Sequence, residues 1–247
     1  MFKHLPYLSL HSLQQGILPR SFVRKMADSD LVDVFASMDA AKDVGGDFYD
    51  LFPIDDHRIG FAIADVSGKG VPAAIFMAVS HTLIKATGIR DLASNECIAT
   101  VNDILCNESV GSMFVTVFYG IYNITTGEVT YANAGHNPPY LLKADGTVKS
   151  LPMSKDIVAG ALEDFQFTEE TLQLEHGDTL LLFTDGVTEA VDTEFKEYGD
   201  ERLKALLQKE AQADCQQIID NVKADVKAFV GEAEQSDDIT LLALKRK

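Results

Sequence analysis

The sequence has few cysteines, and none of them is arranged for metal binding or cross-linking. Cys97, Cys106 and Cys215 are the only three in 247 residues, and all lie in segments with helical periodicity. The lack of a paired C-x-x-C spacing argues against a zinc site and against a disulfide framework. Free thiols suit a reducing compartment, so we expect the protein in the cytoplasm.

Basic residues are scarce as well. The chain has 21 lysines and arginines against 38 aspartates and glutamates, which gives a net charge of −17. A surface of this sign repels nucleic acids and anionic membranes, so we expect neither as a partner. The excess of acidic residues either favours cationic ligands or serves solubility alone.

Long hydrophobic runs are also missing. Ile59–Ala64 and Thr179–Phe183 are too short to span a bilayer, and the N-terminus has no hydrophobic region of a signal peptide. We therefore expect no membrane segment in this chain. With 46% hydrophobic and 24% charged residues, it fits one large globular domain. We expect a linker helix in residues 1–20, where an amphipathic stretch precedes Pro19, and one domain over residues 21–247.

Hydrophobic periodicity predicts strands that arrive mostly as hairpins and helices that arrive as pairs. The predicted strands are Val32–Ala36, Phe48–Ile54, Ile59–Ala64, Met113–Ile124, Glu128–Asn133, Tyr140–Lys143, Thr147–Leu151, Thr179–Thr184 and Ile239–Leu244, and the predicted helices are 71–87, 92–107, 200–213 and 214–230. Hairpins form antiparallel sheets, which paired helices can cover. The sequence therefore predicts a layered α+β fold.

Two aspartates face each other at the ends of the first predicted hairpin, in the stretch VGGDFYDLFPIDDHRIGFAIADVSGKG. If the turn is centred on Asp56, Asp47 lies opposite Asp65. Like charges that face each other destabilise a sheet and cannot both stay ionised cheaply, unless a cation lies between them. Aspartate is also common in turns beside strands, so a structural role remains the alternative for each acid taken singly.

Further acids lie at the ends of other apolar strands. Asp185 follows TLLLFT, and Asp237 and Asp238 precede ITLLAL. Because the ends of neighbouring strands lie side by side, carboxylates from distant parts of the chain can meet at one edge of a sheet. Oxygen ligands without histidine are typical of Mg²⁺ or Mn²⁺ sites. The pattern therefore predicts a site for one of these ions.

Five motifs together resemble a known family. The motifs VGGDFYD, ADVSGKG, AGHNPPYLL, FTDGVTEA and SDDITLLAL follow one another in this order, and the match spans about residues 12–245. They are similar to those of the metal-dependent PPM-type protein serine/threonine phosphatases. The resemblance is to the bacterial branch of sporulation stage II protein E and the RsbU regulators. It implies a fold of two antiparallel β-sheets sandwiched between helix pairs.

The resemblance also implies a centre of two ions, either Mn²⁺ or Mg²⁺. Asp47 and Asp65 would bind the ions, with Asp65 bridging them and the Val66 carbonyl as a further ligand. Asp185 and Asp237 would complete the set. Two such ions lower the pKa of a shared water and hold the phosphoryl oxygens during in-line attack. The nucleophile would then be this water, and no catalytic side chain is assigned.

Several residues near these motifs are open to more than one interpretation. Asp238 stands where many relatives outside this branch have asparagine, so we assign Asp237 as the ligand. In SGKG, Lys69 is expected only to border the site, because the phosphate-loop pattern GxxxxGK[ST] is absent. His136 is expected to fix a turn rather than to act as an acid or base. Eukaryotic relatives grip phosphate with an arginine near the first motif, where the nearest basic residue here is Lys42.

By this resemblance, the expected activity is hydrolysis of phosphoserine or phosphothreonine on a regulatory protein, a STAS-type anti-anti-sigma factor. A metal-dependent phosphoesterase of small substrates and a non-catalytic regulatory binding module are the alternatives, and the retained acids argue against the second. The helix over 71–87 begins shortly after Asp65, so an upstream sensor domain or a homodimer partner could act through it. The alternative is that Ile75, Val79 and Leu83 belong simply to the core.

Overall fold

The computed structural model describes residues 30–108 and 113–247. The predicted linker helix, and with it the predicted domain boundary, lies outside the described residues. The strands are β1 (Val32–Asp39), β2 (Phe48–Pro53), β3 (Arg58–Val66), β4 (Val115–Asn123), β5 (Glu128–Ala134), β6 (Tyr140–Leu142), β7 (Val148–Ser150), β8 (Glu170–Gln173), β9 (Thr179–Phe183) and β10 (Ile239–Arg246). The helices are α1 (Val71–Gly88), α2 (Ser94–Glu108), α3 (Asp185–Thr188), α4 (Asp200–Leu207) and α5 (Cys215–Val230).

The strands form two five-stranded antiparallel sheets. Sheet A has the order β1-β10-β9-β6-β7, and sheet B has the order β2-β3-β4-β5-β8. Helices α1 and α2 pack on sheet B, whereas α5 packs on β1 and β10 of sheet A and contacts α4. The predicted α+β fold, with two antiparallel sheets sandwiched between helix pairs, is confirmed.

Two hydrophobic cores explain why β9, a central strand of sheet A, is buried throughout. Leu180 and Leu182 of β9 belong to the core shared with sheet B, whereas Leu181 and Phe183 belong to the core beneath α4 and α5. Successive residues of a strand point to opposite faces of its sheet. A strand that is covered on both faces therefore reads as a continuous hydrophobic run, as TLLLF does.

The structure differs from the predicted elements at three places. Asp185 and Gly186 begin the short helix α3, which was not among the predicted helices. Helix α4 ends at Leu207 rather than near residue 213. Strand β8 was not predicted, because its sequence ETLQ is polar and mostly exposed at the edge of sheet B, where no alternating apolar pattern is needed.

Helix α1 is apolar on more than the face that packs on sheet B. Among the described residues, it is the only helix that is long and apolar enough to cross a membrane, by length and composition. Within the fold, 44% of it is buried. Ile75 is 62% exposed and Val79 is 43% exposed, so the interpretation of these two residues as core is wrong. Leu83 is partly buried against the core. We call the exposed stripe of Val71, Ile75 and Val79 the α1 outer face.

Candidate metal centre

The first hairpin brings two carboxyl groups together, as its sequence predicts. Strands β2 and β3 pair with Phe48 opposite Ala64, and the same register places Asp47 opposite Asp65. Asp47 is buried, and this burial together with the charge of Asp65 raises its pKa well above the usual range. Burial and then the charge of Asp185 raise the pKa of Asp65 to about 7. Both carboxylates are therefore costly to ionise without a cation.

Two more acids reach the same place from sheet A. Asp185 lies two residues after the end of β9, and Asp237 lies just before β10, the neighbour of β9 in the sheet. Burial and then the charge of Asp237 raise the pKa of Asp185. The charge of Asp237 also adds to the raised pKa of Asp65. The acids that end strands in both sheets thus repel one another at one edge of the sandwich.

The adjacent acids Asp237 and Asp238 have different surroundings. Asp238 is buried; its Oδ1 accepts a hydrogen bond from the Ala41 N–H at 2.8 Å, and its Oδ2 accepts a longer one from the Asp47 N–H at 3.4 Å. Asp238 therefore holds the loop that leads into β2. The Asp237 side chain is 45% exposed and lines the cleft beside Asp65. The greater exposure of Asp237 at the cleft favours it over the buried Asp238 as the residue that an ion can reach.

Gly45 and Gly46 let the backbone approach this cleft closely. A Cβ atom on Gly45 would lie 2.0 Å from Oδ2 of Asp238, and one on Gly46 would lie 3.0 Å from the carbonyl oxygen of Val66. Side chains at these positions would displace the groups that shape the site. The presence of glycine at both positions before Asp47 thus has a steric explanation, because the backbone there packs closely against Asp238 and Val66.

Thr184 connects Asp47 to sheet A, and no motif or spacing in the sequence singled it out. The Thr184 hydroxyl donates a hydrogen bond to Oδ2 of Asp47 at 2.8 Å and accepts one from the N–H of Thr240 at 3.1 Å. Hydrogen bonds from Thr240 and Thr184 oppose the rise in the pKa of Asp47. This contact fixes a carboxylate of sheet B against the ends of β9 and β10.

His136 contacts the strand that pairs with the strand of Asp65. Its Nδ1 lies 3.0 Å from Oγ1 of Thr116, which pairs with Asp65 across β3 and β4. Burial lowers the pKa of His136 to about 4, so the imidazole is neutral near pH 7. The turn itself is held by Asn133, whose side chain bonds both the N–H and the carbonyl of His136. The predicted turn-fixing role of His136 is therefore carried by its backbone, while its ring contacts β4.

A polar cluster around the buried Asp50 was also missed. Asp50 on β2 is fully buried, with one carboxylate oxygen 3.0 Å from Nε2 of His81 and the other 3.2 Å from Nζ of Lys85. His81 and Lys85 are four residues apart on α1, so they lie on one face of that helix. A His and a Lys at this spacing in an otherwise apolar helix could have indicated an acidic partner on the sheet.

The donors at the cleft are aspartate oxygens and a backbone carbonyl, and this set fits Mg²⁺ or Mn²⁺. Within residues 30–108 and 113–247, no three His, Cys, Asp or Glu side chains form a ready metal-binding group as they stand. A positive group is nevertheless present, because Nζ of Lys69 lies 2.8 Å from Oδ2 of Asp237. Lys69 thus does more than border the site: it forms an ion pair with a proposed ligand.

Comparison with known proteins agrees with this arrangement. The family model described as Stage II sporulation protein E (SpoIIE) matches residues 55–247, which is most of the chain. The chain belongs to the SpoIIE family. The resemblance to PPM-type protein serine/threonine phosphatases is therefore confirmed.

Relatives of this SpoIIE-family chain include enzymes and solved domains. It is 32% identical over 225 residues to phosphoserine phosphatase RsbU of Bacillus subtilis, covering 90% of this chain and 66% of that protein. The RsbU and RsbW domains of Rv1364c from Mycobacterium tuberculosis share 26% identity at a TM-score of 0.74, over 88% of this chain and 60% of theirs. The SiaA-PP2C domain of Pseudomonas aeruginosa shares the fold, with 18% identity and a TM-score of 0.84 over 96% and 94% of the two chains. The chain spans 40 to 66% of the length of the first curated relatives it matches.

Proposed function

We propose that this chain is a metal-dependent phosphatase that hydrolyses phosphoserine or phosphothreonine on a regulatory protein. The observation that carries the proposal is the meeting of Asp47 and Asp65 from sheet B with Asp185 and Asp237 from sheet A at one cleft. The pKa values of Asp47, Asp65 and Asp185 are raised by burial and by neighbouring carboxylates, and divalent cations stabilise the ionised form of such acids. Membership of the SpoIIE family supports the reaction class.

The residues we propose to hold two ions, Mn²⁺ or Mg²⁺, are Asp47, Asp65, the Val66 carbonyl, Asp185 and Asp237. When bound, the ions supply Lewis acidity and a water that is activated near neutral pH for in-line attack on phosphorus. A solved structure of RsbX, with the same fold at 18% identity and a TM-score of 0.67, is a complex with magnesium. This supports the choice of a hard divalent ion.

The protein itself contributes positioning. Thr184 holds one oxygen of Asp47 in place, and Asp238 fixes the loop that precedes it. His136 and Thr116 support the strand pair that carries Asp65. These groups keep the carboxylates of the two sheets at a fixed separation, which a centre shared between sheets requires.

We propose a phosphorylated STAS-type anti-anti-sigma factor as the substrate, encountered in the cytoplasm. Two relatives support a regulatory protein partner: RsbU is named a phosphoserine phosphatase, and the RsbU domain of Rv1364c was solved together with an RsbW domain. The net charge of −17 disfavours nucleic acid as a partner. The buried thiols of Cys97 and Cys215 are unpaired and suit a reducing compartment.

The test compares two substrates at matched Mn²⁺ concentrations: the phosphorylated STAS-type protein encoded nearest to this gene, and p-nitrophenyl phosphate. We expect dephosphorylation of the protein with Mn²⁺, loss of activity in EDTA, and a much higher kcat/KM for the protein than for the small ester. A preference for the small ester would favour a general phosphoesterase. No turnover of either substrate at any Mn²⁺ concentration would favour a non-catalytic binding module.

A further inference from the structure

Lys69 forms an ion pair with Asp237, an acid of the proposed ligand set. Its Nζ lies 2.8 Å from Oδ2 of Asp237 and 3.0 Å from the carbonyl oxygen of Ser236. The Lys69 side chain is 52% exposed and belongs to the connection between β3 and α1, so it lies at the mouth of the cleft. It is therefore both bound to the centre and able to leave it.

Both oxygens of Asp237 already have partners. Oδ1 accepts a hydrogen bond from the N–H of Asp238 at 2.9 Å, and Oδ2 accepts the ammonium of Lys69. Each oxygen keeps a free lone pair, so a divalent cation need not replace the N–H, but it is repelled by the positive charge of the ammonium beside Oδ2 and competes with it for Asp237. The N–H belongs to the backbone and is fixed, whereas the lysine side chain is long, flexible and half-exposed, so the lysine is the donor that yields.

A lysine released from Asp237 is left beside the reaction site with three N–H donors and no acceptor. The group that complements such an ammonium there is the phosphoryl group of a substrate, which carries negative charge and accepts charge-assisted hydrogen bonds. The described residues near the first motif contain no arginine that could take this part; Lys42, which lines the same cleft, has no carboxylate partner among them.

We propose that Lys69 is an internal counter-ion of the metal-free centre, that a divalent cation displaces it from Asp237, and that its freed ammonium then binds the substrate phosphoryl group. This inference rests on the proposed function and names the residue that grips phosphate. The same side chain would thus act in two steps. Before a metal ion binds, the ammonium neutralises part of the negative charge of the centre; afterwards it binds the substrate phosphoryl group.

The first test measures metal binding without activity. Mn²⁺ is titrated into the metal-free protein, and the concentration that gives the half-maximal rise in melting temperature is recorded for the parent, Lys69→Met, Lys69→Arg and Lys42→Met. We expect Lys69→Met to bind Mn²⁺ roughly threefold more tightly, because an exposed ion pair competes only modestly. Lys69→Arg keeps the competing cation and should resemble the parent. Lys42→Met, which removes an unpaired charge from the same cleft, should change the midpoint less.

The second test measures the phosphate grip. Inorganic phosphate is titrated calorimetrically into each variant at saturating Mn²⁺. We expect Lys69→Met to weaken phosphate binding about tenfold, because one charge-assisted hydrogen bond is lost, and Lys69→Arg to retain most of it.

Three results would overturn the proposal: unchanged or weaker Mn²⁺ binding in Lys69→Met, an equal gain in Lys42→Met, or unchanged phosphate affinity in Lys69→Met. Failure of the proposed function looks different. In that case the parent itself shows no shift in melting temperature with Mn²⁺, so no metal site is present in any variant.

Discussion

Asp65 lies where the charges of the centre meet. Its pKa is raised from 3.8 to about 7, first by burial and then by neighbouring carboxylates, of which Asp185 is the strongest. Between about pH 4 and pH 7, the folded metal-free protein therefore holds a proton on Asp65 that the unfolded chain releases. The free energy of unfolding of the metal-free protein consequently falls as the pH rises through this window.

We predict that Asp65→Asn abolishes phosphatase activity and raises the melting temperature of the metal-free protein above pH 7. The amide is neutral at every pH, so it removes the repulsion that the ionised parent carries. The rise in melting temperature should be clear at pH 8 and small at pH 5, where the parent carboxyl is protonated. Each kcal/mol of added stability corresponds to roughly 2–4 °C. Thermal melts in EDTA at both pH values measure it. Parent-like activity in this variant would contradict the ligand assignment.

Asp56→Asn is the matched control for this prediction. Asp56 is exposed in the connection between β2 and β3, at the opposite end of the hairpin from Asp65. The same loss of one negative charge there should leave both activity and the pH dependence of melting unchanged. An equal effect at both positions would mean that net charge, rather than the centre, controls the result.

Thr184 gives a second prediction at this scale. Thr184→Val removes the hydroxyl that donates to Asp47 and leaves the N–H of Thr240 without its acceptor, which costs about 1–3 kcal/mol for a buried group. We expect lower stability in urea and a higher Mn²⁺ concentration for half-maximal activity. Thr184→Ser keeps the hydroxyl and should recover the Mn²⁺ midpoint. A valine variant with the parent's midpoint would leave Thr184 with a role in packing only.

The sequence predicts that carboxylates gather here, because that depends only on which residues end the apolar runs. It does not predict which of Asp237 and Asp238 turns toward the Ala41 amide, because that contact joins residues 197 positions apart. Nor does it indicate Thr184, whose hydroxyl reaches Asp47 only after the two sheets have stacked. Local pattern determines the strand ends, and tertiary packing decides which side chains meet there.

At the scale of elements, α1 is the connection between the centre and the surface. It follows Val66 after four residues, and its inner face is tied to β2 by the contacts of Asp50 with His81 and Lys85. Its outer face is exposed. Periodicity could not separate these faces, because a helix that is apolar over most of its circumference has no single stripe to identify as core.

We predict that residues 1–18 influence the Mn²⁺ requirement through α1. Three proteins are compared by the Mn²⁺ concentration that gives half-maximal activity: the full chain, a chain lacking residues 1–18, and a chain in which a fused coiled coil dimerises that segment. A ligand or partner shifts a two-state element only by binding one state better. We therefore expect the dimerised chain to need the least Mn²⁺ and the shortened chain the most. Equal midpoints in all three would make α1 a structural element only.

At the scale of the whole molecule, metal binding should raise the free energy of unfolding. An ion that binds only the folded state adds RT ln(1 + [L]/Kd), or about 2.7 kcal/mol at one hundred times Kd. We predict that millimolar Mn²⁺ raises the melting temperature and that EDTA reverses the rise. Asp185→Asn should lose most of the shift, because it removes a proposed ligand from sheet A. An unchanged melting temperature in the parent would count against a metal centre.

Most of the architecture follows from the sequence, because alternating patterns and loop lengths determine each hairpin. The first hairpin has the predicted register, with Phe48 opposite Ala64. The polar edge strand β8 does not follow, because its pairing with β5 depends on backbone hydrogen bonds that any side chain permits. The stacking of the two sheets also had to come from family resemblance, because periodicity identifies buried faces but not their partners.

The position of β10 has a consequence for synthesis on the ribosome. This strand lies between β1 and β9 in sheet A, although it is encoded after every other described element. While the chain is being translated, β1 and β9 have no partner between them, and Asp237 has not yet joined the acids made earlier. Sheet B, with β2 to β5 and β8, can assemble before this. The cleft of the proposed metal centre is therefore complete only after β10 leaves the exit tunnel, and nascent chains should be inactive until then.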